Sequence, residues 1–366
     1  MKRGRISLAL CGLATSVAMC AALWPHAREA TAILAAQDDP AELADVKLDT
    51  SLQNRNLVSE NIESALAVHD ADLANSFVEL AREKNIAIDD EQARRVAAAV
   101  AEENSSAHIA KSFATGLVTG NTDDVASLSG TIAGDLFVFG DIRDVVRETK
   151  HLAMGEDTDR LVLGLATAGL AVTAATYVSV GGAVPLRAGL TLVKDARKVG
   201  RLGEGLAEWA GRSAREVVDA PVLQRAVASG SVLRPGATVS AITAAFRAEK
   251  AGGLVRLAKD IGRVGERAGV RAAQDTLKIA EEPKDVARAA RLAAAKGGKT
   301  RAILKVLGRG ALLLASGAFG LASWLFGALL ALFGVLTSIK AMTERATQAV
   351  LDRRRVKRLR MQVAAG

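Results

Sequence analysis

Cysteine, proline and aromatic residues are scarce in this chain of 366 residues, and each shortage excludes something. The two cysteines, Cys11 and Cys20, both lie in the first apolar stretch, so no disulfide staples the remainder in any redox compartment. There are six prolines and few alternating β-branched runs, which argues against strands. With Ala, Leu, Val and Arg dominant, the composition predicts an all-α chain without substantial β-sheet, long enough for more than one domain.

Chemistry-bearing motifs are missing as well. The four histidines, His26, His69, His108 and His151, stand alone and match no metal pair such as H-E-x-x-H. No G-x-S-x-G elbow, no phosphate loop of the G-x-x-x-x-G-K type and no nucleophile with an evident base occurs. Gly262-Arg263-Val264-Gly265 follows no strand pattern, so it does not open a dinucleotide fingerprint. The sequence therefore gives no reason to expect an enzyme, a catalytic residue or a cofactor.

Charge, by contrast, is abundant and unevenly placed. The net +8 conceals an acidic region, residues 33–159, with 10 basic and 25 acidic side chains. Residues 187–309 reverse the balance with 25 basic and 12 acidic, and residues 340–366 carry 8 basic and 2 acidic. Three uncharged runs punctuate this map: Ile6–Pro25, Leu161–Leu186 and Gly310–Ile339.

The first run follows Lys2, Arg3 and Arg5 and precedes the small residues Ala30-Thr31-Ala32, so residues 1–32 read as a signal peptide or an N-terminal anchor. The acidic-to-basic switch coincides with the second run. If 161–186 crosses a membrane, the basic residues fall on the cytoplasmic side. The expected order is then an acidic helical extracytoplasmic domain (33–160), a transmembrane segment (161–186), a basic cytoplasmic domain (187–309), a transmembrane helix (310–339) and a basic tail (340–366). The last run conflicts with that order, because Lys296, Lys299, Arg301, Lys305 and Arg309 precede it and a basic tail follows it. Re-entrance of the third run, or no crossing by the second, would remove the conflict.

Within the acidic region, Leu66, Leu73, Phe77, Leu80 and Ile86 recur at helical spacing. Asp89-Asp90 with Gln92 predicts a capped second helix from Glu91 to about Gly116. The basic region reads as short helices punctuated by glycine. Its charge could attract nucleic acid, but Trp209 and Phe246 are its only aromatics, so nucleic acid is disfavoured as a partner. The lipid bilayer, with anionic lipid at the tail, is the expected partner.

The densest polar stretch is Gly134-Asp135-Leu136-Phe137-Val138-Phe139-Gly140-Asp141-Ile142-Arg143-Asp144. Asp135, Asp141 and Asp144 are candidate oxygen ligands for a divalent cation. Their spacing fits no calcium loop, and the structural alternative is that Asp141 caps a helix while Arg143 and Arg147 pair with Asp144 and Glu148. This stretch, continued through Val180-Gly181-Gly182-Ala183-Val184-Pro185 to Leu202, resembles the pre-toxin module of bacterial polymorphic toxins over about residues 130–202. The resemblance implies a membrane-associated role and transfers no catalytic residue. The chain ends instead in an apolar helix and a basic tail, with no toxin domain in view.

Phe319-Gly320, Phe326-Gly327 and Phe333-Gly334 repeat at seven-residue spacing. In heptad register, Gly317 and Ala331 share position a, Gly320, Gly327 and Gly334 position d, and the phenylalanines position c. Small residues on one stripe let two helices approach closely in lipid, so Gly317, Gly320, Gly327, Ala331 and Gly334 are the expected packing seam. Its partner is either a second copy, making a homo-oligomer, or segment 161–186. The whole reads as a bacterial inner-membrane protein of interaction or scaffold type, or else as a membrane-active effector or channel-like component related to toxin systems.

Overall fold

The computed structural model describes residues 2–36, 38–52, 54, 56–105, 131–176, 184–229, 240, 242–312 and 318–364. The regular structure of these residues is helical, and one isolated antiparallel bridge, Val218 to Phe246, is the nearest thing to a sheet among them. The all-α expectation is met. The chain divides into two compact units, one of residues 1–38 and 314–366, the other of residues 39–313.

The larger unit opens with α2 (Pro40–Ser51), α3 (Asn56–Ala67), α4 (Ala71–Glu83) and α5 (Asp90–Glu103). Aspartates begin three of them. Asp39 accepts from the Ala41 amide, Asp70 from Leu73 and Asp89 from Gln92, each satisfying a backbone donor that the helix leaves open. The Asp89 cap falls where the sequence suggests, but α5 ends at Glu103; the rest of the span to Gly116 lies largely outside the described residues.

After residue 130 come α6 (Thr131–Met154), α7 (Arg160–Thr176), α8 (Val184–Lys198), α9 (Glu204–Val217) and α10 (Ala220–Ser229). The series closes with α11 (Gly252–Ala268), α12 (Val270–Ile279), α13 (Pro283–Lys296) and α14 (Thr300–Leu307). Gly269, at φ 90°, separates α11 from α12 in a conformation that side chains other than glycine resist.

One core joins helices of both charged regions. Leu48, Ile62 and Phe77 from the acidic side pack with Val193, Leu257, Ile261, Leu292 and Ile303 from the basic side, all fully or almost fully buried. Each such side chain contributes about 1.5–3 kcal/mol by leaving water. The sequence reading set these regions on opposite sides of a membrane; here α4 packs on α14, and α2 on α13 and α14. Residues 161–170 of α7, the expected crossing segment, are all buried, with α6, α8 and α9 packed against the helix. Residues 177–183 of that segment lie outside the described residues.

The smaller unit consists of α1 (Lys2–Ala35) and α15 (Ala318–Ala364), packed against each other. Ala30-Thr31-Ala32 lies within α1, which also contains Pro25. The helix expected over 310–339 starts later and runs further. Gly308, at φ 54°, ends α14 and leads into a 3-10 turn, Gly308–Ala311. Ala311 and Leu312 are buried in the larger unit's core, so the chain is committed there before α15 begins. Past residue 339 the tail continues as helix to Ala364.

Candidate functional site

Three polar or packing arrangements bring together residues that the sequence singles out. The first surrounds Asp141 and Asp144. The sequence suggests that Asp141 caps a helix. Instead α6 runs unbroken through Gly134 and Gly140, and Asp141 lies in mid-helix facing α7. A Cβ at Gly169 of α7 would collide with the Asp141 carboxylate, so only glycine permits this approach.

Lys194 of α8 then enters the space between the two carboxylates. Its Nζ lies 2.5 Å from Asp141 Oδ1 and 3.1 Å from Asp144 Oδ2, while Lys198 Nζ donates to Asp144 Oδ2 at 2.7 Å. Asp144 is fully buried, and Asp141 and Lys194 are nearly so. Loss of solvent pushes the Asp141 carboxyl above the ordinary aspartate range. Burial acts the same way on Asp144, but Lys198 and Lys194 outweigh it and hold that carboxyl low. Lys194 is held charged by the two carboxylates despite its burial.

The pair proposed as ligands thus meets in space, with a lysine ammonium occupying the place a cation would take. Asp135 lies earlier on α6, and its side chain is outside the described residues. No group of three or more His, Cys, Asp or Glu able to hold a metal is found among the described residues. Arg147 pairs with Glu148 at 2.9 Å and lies 3.6 Å from Asp144, and Arg143 lies 3.9 Å from Asp144.

The second arrangement joins the acidic and basic regions. Arg301 of α14, 4% exposed, reaches Asp70 through Nη1 (2.7 Å) and Nη2 (2.9 Å), Asp72 through Nη1 (2.9 Å) and Asp275 through Nε (2.9 Å). Arg271 adds bonds to Asp70 at 3.1 Å and Glu103 at 2.6 Å. Lys296 contacts Asp45 at 2.8 Å and Glu83 at 2.7 Å, and Lys299 also pairs with Glu83. Burial opposes the charge on Arg301, but Asp70 and Asp275 raise its pKa above the ordinary guanidinium value.

Lys296, Lys299 and Arg301 are three of the five cations that put basic charge ahead of the last apolar run. Sequence reasoning missed the network. His69 adopts φ 55°, and Asp70 caps α4 while accepting bonds from two arginines. The available signal was the cap position together with an unusual density of arginine.

The third arrangement is the seam on α15. Ala331 is 1% exposed, and a Cβ at Gly327 would meet Leu23 Cδ1 of α1 at 3.7 Å. Gly334 is intermediate, Gly320 lies within the helix, and Gly317 falls outside the described residues. Phe326 and Phe333, at position c, are 63% and 65% exposed, and Leu329, Leu330, Leu332 and Leu336 are exposed with them. Among the described residues one helix, Phe326–Gln348, is long and apolar enough to cross a membrane. Comparison of the chain with protein-family models, curated proteins and solved structures finds no match.

Proposed function

We propose that the chain is an inner-membrane protein of the bacterial envelope that works by interaction rather than catalysis, with α1 and α15 as its anchor. The observation that carries this reading is the sidedness of α15: Ala331 is buried while large apolar side chains from Phe326 to Leu336 point outward. An exposed apolar surface of that extent is unfavourable in water and favourable in lipid.

Segment 161–186 is then a core element, and both charged regions lie on one side of the membrane. Lys47 Nζ donates to the Gly310 carbonyl at 2.7 Å, so the two ends of the larger unit are neighbours. Neighbouring ends suit an antiparallel hairpin of α1 and α15. The Leu23–Gly327 proximity agrees, since Leu23 lies in the second half of α1 and Gly327 in the first quarter of α15. Such a hairpin brings Lys2, Arg3 and Arg5 to the same end as Lys340, Arg345 and the basic tail. Basic ends favour the cytoplasm, which assigns the larger unit to the outer side. The tail, with Arg353, Arg354, Arg355 and Lys357, meets anionic lipid at the inner surface. The seam's partner is α1 of the same chain in place of a second copy.

Reporter fusions test this. Alkaline phosphatase near residue 90 and near residue 250 should be active at both points, and a fluorescent protein after the tail should be bright. Opposite reports from residues 90 and 250 would restore the crossing at 161–186 and reject the hairpin. The resemblance of residues 130–202 to the pre-toxin module favours a second reading, a membrane-active effector. Dye release from liposomes by the purified chain separates the two, since an anchored scaffold releases none.

A further inference from the structure

We propose that the larger unit carries a binding site for a phosphate group between α12, α14 and the loop that joins α8 to α9. A polar cavity of about 390 Å³ opens there, lined by Asp70, Arg201, Arg271, Gln274, Asp275, Lys278 and Arg301. That volume is at the size of small-molecule sites.

Four of these residues are paired with one another: Arg301 bridges Asp70 and Asp275, and Arg271 bonds Asp70, so these carboxylates already have their cations. The side chains of Arg201, Gln274 and Lys278 make no hydrogen bond or ion pair among the described residues, although all three border the same cavity. Their relative placement is fixed by backbone. Gln274 and Lys278 lie one turn apart on α12. The loop bearing Arg201 is tied to that helix where the Gly203 amide donates to the Leu277 carbonyl at 2.9 Å.

A guanidinium, an ammonium and an amide that border one cavity without side-chain partners complement a doubly charged, oxygen-rich ligand. Arg supplies a planar fork for two phosphate oxygens, Lys a compact charge for a third, and Gln274 a neutral donor. The two unmatched positive charges balance a phosphate dianion. The phosphate group can belong to a small soluble molecule or to a lipid headgroup, and the site chemistry is the same for both.

The test uses the full chain in phosphatidylcholine nanodiscs, titrated calorimetrically with inorganic phosphate and with glycerol 3-phosphate. A parallel arm measures co-flotation of the chain with liposomes containing phosphatidic acid. We expect saturable binding in at least one arm, weakened about tenfold or more by the double variant Arg201→Gln/Lys278→Gln, since each lost bond to a charged group is substantial. Binding in the soluble arm identifies a free phosphate compound, and binding confined to the liposome arm identifies a headgroup. Both side chains are exposed and unpaired, so helicity and melting temperature should stay unchanged, and Lys278→Gln alone is the milder companion variant. No saturable binding in any arm, or binding that these variants leave unaltered, overturns the proposal.

Discussion

Arg301 shows how one residue can decide the architecture around it. Its guanidinium is buried and makes four hydrogen bonds to carboxylates at two other helices, with the paired contact to Asp70 in the planar geometry that only arginine offers. Arg301→Ala would leave Asp70 with Arg271 alone and take from Asp275 its Arg301 bond, and the expected loss is about 1.5–3 kcal/mol, read from urea unfolding. Arg301→Lys should recover only part of that, because an ammonium cannot span both aspartates. Asp70 gives the pH signature of the same network. Burial alone would raise its carboxyl, but Arg301, the Leu73 amide and Arg271 hold it below the ordinary aspartate range. A carboxyl depressed in the folded state stabilises fully above its unfolded value of about 4, and that stability is lost as the pH falls through the folded value. Asp70→Asn should therefore lower stability at pH 7 and flatten the acid limb of the unfolding curve. Asp144, depressed in the same sense, should keep part of that limb in place.

At the scale of elements, α15 and α7 are both apolar, yet residues 161–170 of α7 are buried while Phe326, Leu329, Leu330 and Phe333 of α15 are exposed, a difference that hydrophobicity alone does not reveal. Of the small residues in the heptad on α15, Ala331 is buried and Gly327 lies near Leu23 of α1. Ala331→Leu should push α1 away from α15. Cross-linking between cysteines placed at positions 23 and 327 should fall several-fold in that variant, relative to a control with the exposed Leu332 enlarged instead. For α7 the sequence offered Gly164 and Gly169 without saying what they accommodate. The structure fills those places with Ala214 of α9 and the Asp141 carboxylate. Those contacts depend on α6 and α9 arriving from elsewhere in the chain, so no local pattern could reveal them.

For the whole molecule, the charge partition was plain in the sequence and its cause was not. An acidic and a basic segment separated by an apolar run match a membrane crossing and also match two halves that attract each other. The structure joins them through a shared core and through Lys296, Lys299, Arg271 and Arg301. Residues 39–313 expressed without the anchor should therefore give a soluble helical protein that unfolds in one cooperative transition by circular dichroism. Residues 39–160 or 187–313 expressed alone should remain largely unfolded, because each half then lacks the partner surface for its buried leucines and the counter-ions for its charges. Mixing the halves should restore helicity.

The short turn between α14 and α15 has a mechanical consequence. Lys47 of α2 bonds the Gly310 carbonyl, Arg288 of α13 bonds the Leu312 carbonyl at 3.1 Å, and Arg309 reaches Asp285 of α13 at 2.8 Å. A tug transmitted along the chain from α15 thus meets a strap stitched to two separate helices before it can peel α14 from the core. A pull of that kind would be shared between α2 and α13 before the helices of the larger unit come apart.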